Sequence, residues 1–233
     1  VDVGYYNAAS KILHLLSFVP TLFVYALFPE LTRRIMTQGA KLLIEKSFAL
    51  MMLLGLPLAV GGFLLPEFVI TTIFGSEYAP AIPIFRILIL LVAASFPTVI
   101  VGYSLLAHNR QSRVVKYVLG AAALNLVLNY FFIRAFGNIG AALATVIAQL
   151  ITFSGQLREL LKIEKVSILR TLWRIGSATL FMALIILGLK ILALPLAAIF
   201  VIAIISYLVA LYALREPLLW ELLFNPLAKL TPR

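Results

Sequence analysis

Long uncharged apolar runs dominate this chain and constrain its fold more than any other feature. Of its 233 residues, 63% are hydrophobic and only 12% are charged, and the mean hydropathy is +1.09. A soluble domain of this size needs a far more polar surface. Backbone groups in lipid must be hydrogen-bonded within their own segment, so the runs are predicted to be helices. The sequence therefore predicts an all-α fold, a polytopic membrane helical bundle.

About seven of these runs reach the roughly 20 residues that a helix needs to cross a bilayer. The predicted spans are residues 5–28, 48–65, 82–107, 117–133, 139–157, 172–189 and 191–214. As a single helix, residues 175–214 would be about 60 Å long, twice the hydrocarbon thickness. We therefore divide that stretch into two spans, separated at Lys190 and Pro195.

Basic residues predict the orientation of the spans. Fifteen of the 19 lie in alternate connections, namely Arg33, Arg34, Lys41, Lys46, Arg110, Arg113, Lys116, Arg158, Lys162, Lys165, Arg170, Arg174, Arg215, Lys229 and Arg233. The positive-inside rule places these connections in the cytoplasm, with the N-terminus of this segment outside and its C-terminus inside. Pro29 is expected to close the first span, and residues 32–46 and 215–233 are expected to lie in the cytoplasmic interface.

One face of the first span is polar. At 100° per residue, Asn7, Lys11, His14, Thr21 and Tyr25 fall within about 40° of one line. An ionisable residue inside a membrane is a functional-site hypothesis by default, and this stripe beside a water-filled cavity would attract an anionic ligand group. The alternative is structural: Lys11, roughly 9 Å inside the span, extends to the outer interface, and His14 is a neutral core histidine.

Other polar positions inside spans are weaker candidates for a cavity lining. They are Arg86, the pair Asn125 and Asn129, and Gln149, which shares a face with Ala141, Thr145, Thr152 and Gln156. The amides serve equally well in a packing seam between helices, and that alternative stays open. Arg86 either extends to the outer interface or pairs with Glu67.

Proline and the acidic residues bear on mechanism. All nine acidic residues lie at span ends or in connections, so no mid-membrane carboxylate is available to relay protons or hold sodium. Pro20, Pro57 and Pro97 fall inside spans, where proline frees backbone carbonyls and is tolerated if the helix lines a cavity or bends. Bending helices around a polar stripe is what alternating access requires.

Several chemistries are not expected. The chain has no cysteine and no catalytic motif, so we predict no enzyme activity, no cofactor and no metal. Its net charge of +10 is explained by the lysine and arginine residues that membrane proteins carry in their cytoplasmic loops. No nucleic-acid partner is therefore predicted.

Five stretches follow one another in a recognisable order: VGYYNAASKI, ALFPELTR, LLPEFVITTIFGSEYAPAIPIFRIL, GYSLLAHNRQ and ALNLVLNYFFIRAFGNIGAALAT. Over residues 3–157 this ordered set resembles the C-terminal half of oligosaccharide-lipid flippases of the multidrug/oligosaccharidyl-lipid/polysaccharide superfamily. The resemblance implies export of lipid-linked oligosaccharide, on a polyprenyl-pyrophosphate carrier, across the cytoplasmic (inner) membrane during cell-surface polysaccharide biosynthesis. It also implies that the first helix of this lobe and the N-terminal half of the same protein lie outside this chain.

The resemblance also implies an organisation and site residues. Residues 1–160 would form a C-lobe transporter bundle of five spans. Beyond residue 160 hydropathy alone predicts two peripheral transmembrane helices over residues 161–214, which are poor in polar residues and are expected to be lipid-facing support, and an interfacial tail over residues 215–233. Cationic cavity residues are typical of the family, and Lys11 and Arg86 occupy matching regions. His14 is not a feature that the family implies.

Three alternatives remain. A multidrug cation antiporter of the same superfamily would prefer organic cations, which a cationic stripe disfavours. A membrane-embedded polysaccharide polymerase or ligase would need an extended outer loop, and the longest outer connection, residues 68–81, is short. The third is a scaffold without transport activity.

Overall fold

The computed structural model describes residues 2–37 and 39–216, and the regular structure within them is entirely helical. Its nine α-helices are α1 (Asp2–Thr37), α2 (Lys41–Leu64), α3 (Pro66–Phe74), α4 (Ile82–Leu88), α5 (Leu91–Ala107), α6 (Gln111–Phe136), α7 (Asn138–Ile163), α8 (Ile168–Ile191) and α9 (Leu196–Ala213). A short 3₁₀ helix, Ser76–Ala81, precedes α4. The predicted all-α membrane bundle is confirmed.

Five helical segments of the described chain are long and apolar enough to cross a membrane, or six if one bent pair counts as a span. The bent pair is the third predicted span, in which α4 and α5 meet at 46°. The longest of the five segments, residues 111–163, contains both α6 and α7. Counting those two helices separately accommodates the seven spans predicted from the sequence.

The helices α6 and α7 form an antiparallel hairpin about Gly137. Gly137 has a φ of 58°, a backbone conformation that favours glycine. A methyl group added at Gly140 would lie 2.0 Å from the Phe132 carbonyl oxygen, so the two backbones touch near the turn. At the far end of the hairpin, the Tyr117 hydroxyl of α6 donates to Glu159 of α7.

The first helix is longer than predicted. The expectation that Pro29 closes the first span is wrong, because α1 continues for 36 residues to Thr37. Proline removes one backbone hydrogen bond, but the turns that follow are stabilised by the Glu30 carboxylate, which pairs with Arg33 and Arg34. Within residues 32–46, α1 extends to Thr37 and α2 begins at Lys41, and the interfacial position of this segment stays a prediction.

Two clusters of buried side chains hold the bundle together, and α2 contributes to both. The first joins α1, α3, α4 and α5 and includes Val24, Met51, Phe85, Phe96 and Ile100. The second joins α2 to α8 and α9 and includes Phe48, Leu53, Ile175, Ile186 and Tyr207. Both of the last two helices contribute buried side chains to the second cluster, α8 by packing on α2 and α9 chiefly by packing on α8.

The division into a bundle and two peripheral helices stays a prediction. Within the described chain, α8 packs on α2, and α9 packs on α8. The predicted interfacial tail, apart from its first two residues, lies outside the described residues.

Candidate functional site

The polar stripe of α1 lies on the side of that helix that the described residues leave uncovered. Asn7, Lys11 and His14 are exposed, whereas Ala9 and Ile12 on the opposite side are buried within the first core cluster. Neither the Lys11 side chain nor the His14 side chain has an ion-pair or hydrogen-bond partner among the described residues. Among the described residues, no neighbouring helix supplies a partner for the His14 imidazole, and both interpretations of His14 stay predictions.

The hydroxyl groups of this face are already engaged. The Ser17 hydroxyl donates to the His14 carbonyl at 2.6 Å, and the Thr21 hydroxyl donates to the Ser17 carbonyl at 2.8 Å. The groups left to receive a ligand are therefore the Lys11 ammonium, the His14 imidazole and the Asn7 amide. One fixed cation beside an imidazole and an amide suits an anionic ligand that carries hydroxyl groups.

Aromatic rings lie toward the other end of the stripe. Tyr25 meets Tyr103 of α5 edge to face, with ring centroids 6.2 Å apart, and Phe28 meets the same ring at 5.5 Å. The Tyr25 ring remains exposed on the stripe side. It adds a flat apolar surface below the cationic part of the stripe.

Arg86 is engaged elsewhere. Its guanidinium donates to the Glu67 carboxylate at 2.6 Å, so the ion pair considered in the sequence analysis is confirmed. The second oxygen of Glu67 lies 3.7 Å from the Lys190 ammonium, which itself donates to the Leu64 carbonyl at 2.9 Å. This charge cluster ties the junction of α2 and α3 to α4 and α8, and no hydrogen bond or ion pair among the described residues links it to Lys11.

The amide candidates differ in their surroundings. Gln149 of α7 donates to the Thr98 hydroxyl of α5 at 3.1 Å, and Gln156 is buried against the same helix beside Gly102. Asn129 donates to Asn125 at 2.9 Å along α6, and both are half-buried. The contacts of Gln149 and Gln156 favour the packing alternative over a cavity lining, whereas the Asn125–Asn129 bond lies within one helix and leaves both alternatives open.

An apolar groove, which the sequence analysis missed, runs along α2 between α1 and α9. Its volume is ≈ 560 Å³. The lining side chains are almost all aliphatic or aromatic, and they include Leu16 of α1, Leu58 of α2, Phe68 of α3 and Ile204 of α9. Pro57, Gly61 and Gly62 of α2 line this groove and were the sequence signal, since proline and glycine inside a span are tolerated where the helix lines a cavity or bends.

Comparisons with known proteins agree with the resemblance predicted from the sequence. No protein-family model matches the chain. A probable low-salt glycan biosynthesis flippase, Agl15 of Haloferax volcanii, is 28% identical over 149 residues, which are 63% of this chain and 32% of that protein. An uncharacterized membrane protein of Methanocaldococcus jannaschii, MJ1068, is 27% identical over 178 residues, which are 72% of this chain and 34% of that protein.

The fold matches that of a solved flippase. The lipid II flippase MurJ, in an inward closed conformation, superposes with a TM-score of 0.77 at 19% sequence identity, over 93% of this chain and 48% of that one. The chain thus spans about a third of the length of the curated relatives and about half of the solved structure. The predicted resemblance to flippases, over part of their length, is confirmed.

Proposed function

We propose that this chain is the C-terminal half of a flippase that moves lipid-linked oligosaccharides from the cytoplasmic to the outer leaflet of the cytoplasmic membrane. The carrier would be a polyprenyl pyrophosphate, the mechanism alternating access, and the role cell-surface polysaccharide biosynthesis. The observation that supports this most is that α1 borders two different environments. A cationic, uncovered stripe lies on one side of the helix and an apolar groove on another.

This arrangement suits a ligand with an anionic head and a long apolar tail. Transfer of a pyrophosphate and its sugars through hydrocarbon would remove water from charges and hydroxyl groups at great cost. A hydrated stripe that carries Lys11 lowers that cost for the head. The tail meanwhile stays in lipid or in the groove.

Three stripe residues, and Arg86 outside the stripe, have proposed roles. The Lys11 ammonium contacts the pyrophosphate, where a charge-assisted hydrogen bond is strongest. Asn7 and His14 donate to phosphate or sugar oxygens. Arg86 is a secondary candidate, because Glu67 already neutralises much of its charge.

The sign of the stripe favours an anionic substrate over an organic cation. Lys11 has no carboxylate partner in the described chain, and the Glu67 carboxylate is paired with Arg86 and lies near Lys190. A multidrug antiporter would require the reverse arrangement.

The test is a flipping assay with the full-length protein in vesicles, using a fluorescent lipid-linked oligosaccharide. Lys11→Ala is expected to lower the flipping rate at least about tenfold, because a hydrogen bond to a charged group contributes about 1.5–3 kcal/mol. Lys11→Arg is expected to retain most of the rate, and Lys165→Ala, an exposed lysine in the connection before α8, serves as the matched control.

One result would contradict the proposed role of Lys11, and another would contradict the proposed flippase function. Unchanged flipping by Lys11→Ala at normal expression would remove Lys11 from the site and leave the function standing. A wild-type protein that exports organic cations and does not flip the lipid-linked oligosaccharide would refute the function itself.

A further inference from the structure

A carbonyl in the middle of α2 lacks its usual donor. In an α-helix the carbonyl of Leu53 accepts from the backbone N–H of residue 57, and here that residue is Pro57, which has none. Leu53 is buried in the second core cluster, so water does not take the place of the donor. An unsatisfied carbonyl in such apolar surroundings is destabilising.

Tyr207 of α9 supplies the missing hydrogen-bond donor. Its hydroxyl donates to the Leu53 carbonyl at 2.8 Å, across 154 residues of sequence. The side chain is buried and belongs to a stripe of α9 with Ile199, Ala203 and Leu211 that faces the bundle.

This bond lies in the wall of the groove. Tyr207, Leu53 and Pro57 all line it. α9 packs chiefly on α8, and α8 packs on α2. The Tyr207 hydroxyl therefore links α9 directly to α2 by a hydrogen bond across the groove wall.

We propose that Tyr207 is a positioning residue: its hydroxyl supplies the hydrogen bond that Pro57 cannot, and so it fixes α9 against α2 as one wall of the groove. The proline and the tyrosine then act as a matched pair. Removal of the hydroxyl matters only while residue 57 lacks an N–H. The importance of this positioning for transport rests on the function proposed above.

A double-mutant cycle in the full-length protein tests the pair. Tyr207→Phe is expected to lower the thermal midpoint in detergent by about 2–4 °C. In a Pro57→Ala background, where an amide N–H reaches the Leu53 carbonyl, the same substitution is expected to have less than half of that effect. Tyr6→Phe is the control, because the Tyr6 hydroxyl makes no hydrogen bond among the described residues.

A distance measurement separates positioning from general stability. This chain contains no cysteine, so spin labels at Val19→Cys on α1 and Val209→Cys on α9, both exposed and outside the groove, report the separation of its two walls. Tyr207→Phe is expected to broaden or shift that distance distribution, and Tyr6→Phe is expected to leave it unchanged. This reading does not depend on the folding of Pro57→Ala.

The outcomes distinguish the two proposals. An equal effect of Tyr207→Phe in both backgrounds, or an unchanged distance distribution, would overturn the positioning role while leaving the proposed flippase function intact. A coupled cycle and a shifted distance in a protein that does not flip lipid-linked oligosaccharide would uphold the positioning role and refute only the function.

Discussion

The Arg86 guanidinium donates a hydrogen bond of 2.6 Å to the Glu67 carboxylate, which joins α4 to the start of α3. The same carboxylate lies near Lys190 at the end of α8, so one acid holds two cations. Both members of the shorter pair are partly exposed, at 41% and 36% of their side-chain surface. Solvent therefore weakens the interaction considerably.

Arg86→Ala is expected to destabilise the protein by about 1 kcal/mol and to leave flipping largely intact. Glu67→Gln should have a similar effect, and the double variant should lose less than the two losses added together, because both remove one interaction. Thermal midpoints at low and high salt provide the measurement, with a smaller effect at high salt. Loss of flipping by Arg86→Ala at unchanged stability would instead make Arg86 a substrate contact.

The hairpin of α6 and α7 depends on a glycine at the contact nearest the turn. A methyl group at Gly140 would meet the Phe132 carbonyl oxygen at 2.0 Å and its carbon at 2.3 Å, and both are backbone atoms that cannot move aside. Gly140→Ala is expected to cost about 3 kcal/mol or more, measured as a lower thermal midpoint. Gly120→Ala on α6, where a methyl group meets nothing within 4 Å, is the matched control and should stabilise by up to about 1 kcal/mol. Equal effects of the two substitutions would contradict this account of the hairpin.

The bond between Gln149 and Thr98 across α7 and α5 is expected to contribute modestly. Hydrogen bonds between membrane helices average about 0.6 kcal/mol in double-mutant cycles, because the unfolded chain in the membrane finds other partners. Gln149→Ala should therefore lower stability slightly, and Thr98→Val should add little to that loss. Flipping should continue in both variants. A large loss of flipping by Gln149→Ala alone would return this residue to the list of cavity-lining candidates.

The sequence sufficed for the helices but not for all of their ends. The seven apolar runs were predicted because hydropathy follows directly from the residue types along the chain. The division of residues 175–214 was predicted because a single helix of that length would be too long for one bilayer. The end of α1 was missed, because the Glu30 side chain stabilises the turns after Pro29 through ion pairs that hydropathy does not represent. The 46° bend between α4 and α5 also left no clear signal.

For the site, the polar stripe of α1 was predictable because helical spacing alone places Lys11 and His14 on one face. Whether a polar residue faces an opening or another helix depends on the neighbouring helix, which is why Gln149 stayed ambiguous until its bond to Thr98 was seen. The groove and the Tyr207 bond involve residues distant in sequence. Pro57 indicated a free carbonyl, but nothing near it in the sequence identified the donor.

The most direct test of the account asks whether the stripe of α1 faces water. The full-length protein with Lys11→Cys or His14→Cys is treated in membranes with a charged thiol reagent that does not cross lipid, and Leu184→Cys, exposed on α8, serves as the lipid-facing control. We predict rapid labelling at positions 11 and 14, protection by the lipid-linked oligosaccharide, and no labelling at position 184. Labelling of positions 11 and 14 no faster than that of position 184 would contradict the central claim.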